Sequence, residues 1–174
     1  NESLLPVDTR KFKKILVTGP NANNQSIMGD WVFEQPEKNV STILEGIKEE
    51  ASGTQINYVD VGWNMRALDS AKIEEAIQTA KSSDLAIVIV GEDSFRQHWK
   101  EKTCGENRDR MDITLWGKQD YLVESIYKTG VPTIVILING RPLATRWIAE
   151  NIPAVIEAWE PGSMGGKAIA EILF

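Results

Sequence analysis

Cysteine and histidine are nearly absent: Cys104 and His98 are the only ones among 174 residues. A single cysteine excludes an intramolecular disulfide and any zinc site built from several thiolates. One Cys–His pairing is conceivable, but a small packed thiol is the simpler reading. Cations are in deficit as well. Lys and Arg number 19 against 25 Asp and Glu, a formal net charge of −6. Duplex nucleic acid and anionic membranes both call for clustered cations, so neither is expected as a partner. No apolar run is long enough to span a bilayer. Asn1 is not a Met and N-E-S-L-L-P-V-D reads like a linker, while Phe174 follows directly on an apolar helical pattern. Both ends read as cuts through a longer protein.

Nucleotide signatures are missing too. Gly19-Pro20-Asn21-Ala22 is not G-x-G-x-x-G, and no G-x-x-x-x-G-K-[ST] occurs. Pro20 removes a backbone N–H that a phosphate cradle would use. A flavin held without these motifs stays open as an alternative, but no cofactor is expected. A metal site is not expected either, because the carboxylates near the lone His98 have irregular spacing. There is no G-x-S-x-G elbow for a Ser/His/Asp hydrolase.

What is present is ordinary globular material, 42% hydrophobic and 25% charged, enough for one domain with a sizeable core. Strands are expected at Ile15–Thr18, Ile56–Val61, Leu85–Val90, Thr133–Ile138 and Pro153–Trp159, from β-branched or apolar runs closed by turn residues. Between them, Val40, Ile43, Leu44 and Ile47 repeat at helical spacing, with Thr42 and Glu45 as a capping box and Gly53 as the stop. Asp69 caps a second helix facing inward through Ile73, Ala76, Ile77 and Ala80. A third spans Gly117 to Thr129 with Tyr121, Leu122 and Ile126 inward, a short one covers Leu143 to Ala149, and the last runs Gly165 to Leu173. Asn21 to Asn39 reads as a loop with room for a short helix. The alternation predicts an α/β three-layer sandwich with a mostly parallel sheet and helices on both faces. Ligands then meet the loops at the carboxyl ends of the strands.

One such loop dominates. Gly91 to Ile113 follows the most apolar run and is long and polar, and a loop of that length in a compact domain is functional or disordered. It holds Glu92, Asp93, Glu101, Glu106 and Asp109 before Asp112, together with His98, Trp99 and Cys104. Glycoside hydrolysis with retention needs two carboxyl groups about 5–5.5 Å apart. No convincing pair on separate rigid elements is visible within the chain, and a solvated surface excursion is the plainer reading of the loop by itself.

A resemblance shifts that balance. The chain resembles the second domain of glycoside hydrolase family 3, the β-glucosidase and β-xylosidase family. The match runs in order through N-E-S-L-L-P (Asn1 to Pro6), K-I-L-V-T-G-P-N-A (Lys14 to Ala22), G-D-W (Gly29 to Trp31), L-E-G-I-K (Leu44 to Lys48), A-I-V-I-V-G-E (Ala86 to Glu92), G-E-N-R-D-R-M-D-I (Gly105 to Ile113), N-G-R-P-L (Asn139 to Leu143) and A-W-E-P-G-S-M-G-G-K-A-I-A-E-I-L-F (Ala158 to Phe174). The resemblance implies an interdomain linker at 1–12, a sandwich domain at 13–174, and an N-terminal TIM-like barrel in the same chain that supplies the Asp nucleophile. It further implies a β-glycoside substrate and an acid/base Glu on the loop after the third strand. Glu106 fits that position, with Arg110 and Asp112 following in register; Glu101 is the runner-up and Glu92 a distant third, read as structural. Trp31 is where some members place an aromatic beside the leaving-group sugar, and Gln35 replaces a second Trp found in some of them. Asn139 and Arg141 read as a structural turn, and His98 and Cys104 match no family role.

The expected function is therefore that of the C-terminal domain of a retaining β-glycosidase, a β-glucosidase first. The alternatives are a β-xylosidase domain of the same family and a non-catalytic carbohydrate-cleft or interaction domain. A general acid must keep its proton until the bond breaks, which calls for burial and a negative charge close by. Both would come from the docked barrel, so the domain alone is expected to be inactive. Many relatives are exported, which makes a periplasmic or secreted parent one option.

Overall fold

The computed structural model describes residues 4–174; Asn1 to Ser3, the start of the N-E-S-L-L-P motif, lie outside the described residues. Five strands form one sheet: β1 (Lys14–Thr18), β2 (Gln55–Val59), β3 (Leu85–Gly91), β4 (Thr133–Ile138) and β5 (Ala154–Glu157). Their order is β2-β1-β3-β4-β5 and every neighbouring pair is parallel. Five helices cover it: α1 (Ile43–Glu50), α2 (Ser70–Ala80), α3 (Gln119–Tyr127), α4 (Arg146–Asn151) and α5 (Gly165–Leu173).

Every residue of β3 and β4 is buried, because these central strands are covered on both sides. Alternate residues serve alternate layers. Ile87, Ile89, Ile134 and Ile136 pack with Ile43 and Ile47 of α1 and Ile169 and Leu173 of α5. Val88, Val90, Val135 and Leu137 pack with Ile73 and Ile77 of α2, Leu122 and Ile126 of α3, and Ile148 of α4. This is the expected three-layer sandwich, with all five described strands parallel. Residues 4–12, in the stretch read as a linker, lie against the first of these layers: Val7 is buried and donates to Leu173 O at 2.6 Å.

The capping box of Thr42 and Glu45 is present in full, and Asp69 caps α2 through the N–H groups of Ala71 and Lys72. The second and fifth strands stop earlier than expected, at Val59 and Glu157, and two helix starts moved for a tertiary reason. The helix read as Leu143–Ala149 begins at Arg146, because Ala144 N–H is held by Ile113 O at 2.9 Å, outside the helix. The helix read from Gly117 begins at Gln119, because Gly117 has φ +62, outside the helical region, and a Cβ there would lie 2.4 Å from Met65 O. Tyr121 is exposed rather than inward; the buried face is Gln119, Leu122, Val123 and Ile126.

The order of the strands brings two loops together. The chain runs from β1 to β2 on one side, then crosses back to β3 on the other side of β1. The winding reverses between β1 and β3, and in open parallel sheets a crevice forms at the carboxyl ends of those two strands. The loops bordering it are the ones carrying Trp31 and Glu106.

The first layer depends on a close helix crossing. A Cβ built on Gly46 of α1 would lie 2.1 Å from Gly166 O of α5. Gly46→Ala must therefore push the two helices apart, and we expect a loss of about 3 kcal/mol from overpacking, read as a shift of the urea midpoint. An unchanged midpoint would show that the crossing is loose.

Candidate active site

The loop leaves β3 under close control. Gly91 has φ +149, and a Cβ there would lie 1.9 Å from Ile138 O of β4, so only glycine fits. The buried Gln119 amide accepts Gly91 N–H at 2.8 Å and donates to Gly91 O at 2.9 Å, completing the strand end with a side chain. The next residue, Glu92, buries its carboxylate completely. Arg110 Nη1 meets one oxygen at 3.1 Å and Arg141 Nε meets the other at 3.2 Å. Removal of a carboxylate from water is costly unless it is paired, and here both oxygens are. The same arginines fasten the loop: Arg110 donates to Thr114 O at 2.6 Å and Arg141 to Arg108 O at 2.6 Å. Both Glu92 oxygens are thus engaged inside the protein, and the turn residue Arg141 is half of that support.

Glu106 sits further out, with 42% of its side chain exposed. Its backbone N–H donates to Asp30 Oδ2 at 2.6 Å. Arg96 Nη1 lies 3.4 Å from its carboxylate and 3.7 Å from Asp30, and its guanidinium stacks 4.0 Å over the Trp31 ring. Trp31 itself is 72% exposed. The two residues favoured from the sequence, 75 positions apart, are therefore bridged by Arg96. Asp30 also accepts from Lys102 Nζ at 2.9 Å, and Lys102 is fully buried. Burial alone would raise the Asp30 carboxyl; the Glu106 N–H, the Lys102 ammonium and Arg96 outweigh it and hold it below the usual carboxylate range. A depressed value means stability present at neutral pH and lost as pH falls through it.

Other candidates are brought together less well. Glu101 is half-buried in a turn: its N–H donates to His98 O at 2.9 Å and its carbonyl accepts from Arg66 Nε at 3.4 Å. His98 does not face Cys104. Its Nδ1 lies 2.6 Å from the buried Asp93 carboxylate and its ring stacks 4.0 Å from Trp63. Cys104 is buried; burial, then Glu92, pushes its thiol far up, so it is a packed thiol. Asp112 accepts Thr114 N–H at 2.8 Å, which lowers its carboxyl and closes the loop with a turn. Gln35 exchanges two hydrogen bonds with Gln25, at 2.7 and 2.9 Å, on the exposed side of its loop.

Sequence reasoning missed Asp30, Arg96 and Lys102. The G-D-W motif held the signal for Asp30, but only its tryptophan was weighed. Trp63 and Trp159 are part-exposed beyond the ends of β2 and β5, and Trp159 has φ +55, unusual for a bulky residue.

Comparison with known proteins decides the family. The model of the glycosyl hydrolase family 3 C-terminal domain matches residues 1–174. The chain belongs to that family. A β-xylosidase of Formosa agariphila is 38% identical over 182 residues, covering all of this chain and 24% of the relative. A periplasmic β-glucosidase of Salmonella typhimurium is 31% identical, covering 95% and 23%. Among solved structures, an exo-β-xylosidase (XlnD) in complex with a xylobiose aziridine probe superposes with a TM-score of 0.82 at 28% identity, covering 99% of this chain and 21% of the other. A Listeria innocua β-glucosidase in complex with isofagomine gives 0.81 at 26%, covering 98% and 22%. The chain spans about a quarter of the length of the curated relatives it matches. Among the described residues, no helix is long and apolar enough to cross a membrane.

In this family 3 domain, the loop should depend on the Glu92 pair. Glu92→Ala leaves two arginines without their buried partner, and we expect a loss of about 3 kcal/mol. Proteolysis should then open the 92–113 loop first. A stability within about 0.5 kcal/mol of the parent, the range of ordinary surface changes, would contradict the assignment.

Proposed function

We propose that this is the acid/base-bearing C-terminal domain of a retaining β-glycosidase, with residues 1–12 as the interdomain linker and 13–174 as the sandwich. In this reading an N-terminal barrel of the same protein supplies the Asp nucleophile and closes over the carboxyl rim. Glu106 protonates the glycosidic oxygen as the nucleophile attacks the anomeric carbon, and the aglycone leaves. It then takes a proton from water as that water displaces the enzyme carboxylate. Trp31 offers a face for the leaving-group sugar. The observation that supports the choice among the loop carboxylates is their different fate: both oxygens of Glu92 are engaged by arginines inside the protein, whereas the Glu106 side chain stays 42% exposed on the loop after β3.

A β-glucoside is the first substrate to try. A β-xyloside is the second reading, favoured by the 38% identity to a β-xylosidase over the whole chain. Export of the parent is a further part of the proposal, supported by the periplasmic relative.

The test is Glu106→Ala in the full-length enzyme, with aryl β-glucosides and β-xylosides of good and poor leaving groups, with and without azide. Loss of about a hundredfold or more is expected for the poor leaving group, with azide restoring turnover of the good one. The isolated domain, run alongside, should show no turnover. A uniform mild loss without azide rescue would make Glu106 scaffold and bring Glu101 forward.

A further inference from the structure

We propose that Asp30 is the positioning residue of the acid/base, holding Glu106 in place through the Glu106 backbone N–H; the inference rests on the assignment of Glu106 above. Asp30 belongs to the loop after β1 and Glu106 to the loop after β3. Their contact, N–H to Oδ2 at 2.6 Å, joins residues 76 apart in sequence. It is a charge-assisted bond, the shorter and stronger kind.

The other carboxylate oxygen is anchored from below. Lys102 Nζ meets Oδ1 at 2.9 Å and has no exposed surface. A buried ammonium needs an anion, so Lys102 fixes where the Asp30 carboxylate stands. Glu106 then hangs from an acceptor that is itself held inside the protein. The backbone around Glu106 fits this acceptor closely. Gly105 has φ +85, and a Cβ there would lie 2.6 Å from Asp30 Oδ2. Asn107, on the other side, has φ +59. Glycine and asparagine are the residue types that adopt left-handed backbone readily, so the turn presents the Glu106 N–H without strain. The next residue after Asp30 is Trp31, so one carboxylate fixes the spacing between the acid and the exposed aromatic.

Asp30 touches no reacting atom in this proposal. Its effect is on where the proton donor stands, and a displacement of about 1 Å costs on the order of a hundredfold in rate. The effect should therefore follow the demand for acid assistance. A purely structural residue would depress all substrates alike.

Three variants of the full-length enzyme test this. Asp30→Ala combined with Lys102→Met removes the acceptor without leaving an ammonium buried alone. Asp30→Asn combined with Lys102→Met restores an uncharged acceptor at the same place. Gly105→Ala strains the contact with every charge retained. For the first and third, kcat/KM for a poor-leaving-group aryl glycoside should fall about a hundredfold, against about threefold or less for a good one. The amide variant should recover much of the difference. Added to Glu106→Ala, the Asp30→Ala/Lys102→Met pair should cost nothing more on the poor substrate, since residues acting through one group are not additive. Equal losses on both substrates, no recovery with the amide, or a full further loss in the Glu106→Ala background would each overturn the proposal. Thermal midpoints separate misfolding from misplacement. A Glu106→Ala enzyme that keeps its poor-leaving-group activity would bring down the acid/base assignment, and this inference with it; an intact Glu106→Ala phenotype with uniform Asp30 losses would bring down this inference alone.

Discussion

A carboxylate buried at the end of the most buried strand is the constraint from which the rest of the rim follows. Glu92 comes directly after seven buried residues of β3, and its charge cannot reach water. It is neutralised by Arg110 from the far end of its own loop and Arg141 from the turn after β4. Each of those two arginines then gives a further donor to a carbonyl, Arg110 to Thr114 and Arg141 to Arg108. The long segment between is therefore closed into a compact arch whose feet are one ion triad. Without that closure, a polar excursion of this length would have no fixed tip on which to hold a chemical group.

A second anion continues the arch outward. Asp30 reaches it from the loop after β1, taking the buried Lys102 on one oxygen and the Glu106 N–H on the other. The two loops meet where the sheet reverses its winding, so topology brings them together and Asp30 fixes their distance. Arg96 adds a looser bridge, stacked over Trp31 and 3.4 Å from the Glu106 carboxylate. That outer ion pair is exposed and worth little by itself. The firm positioning comes from the backbone hydrogen bond and the buried pair beneath it.

Much of the fold was legible in the chain because its signals are local. Runs such as Leu85 to Val90, the helical repeat of Ile43, Leu44 and Ile47, and the caps at Thr42 and Asp69 each declare themselves within a few residues. The helix starts that moved were decided by distant partners: Ile113 O holding Ala144, and Met65 O against Gly117. The site divides the same way. Glu106 and Trp31 stood out through motifs that resemble a family, and Glu92 through its place at a strand end. Asp30, Lys102 and Arg96 did not, since what marks them is a set of contacts each closing over more than sixty residues. A buried lysine in a charged loop looks, in sequence, like any solvated one. The outward Tyr121 was misread for a related reason: its neighbours Leu122, Val123 and Ile126 already fill the inward face.

The most direct test is a crystal structure of the full-length enzyme, its nucleophile removed, with an uncleaved β-glycoside bound. The account predicts the Glu106 carboxylate within hydrogen-bond reach of the glycosidic oxygen, about 2.6–3.2 Å, with Asp30 still accepting the Glu106 N–H. A substrate whose glycosidic oxygen meets Glu101 or a barrel residue instead, with Glu106 turned away, would contradict it.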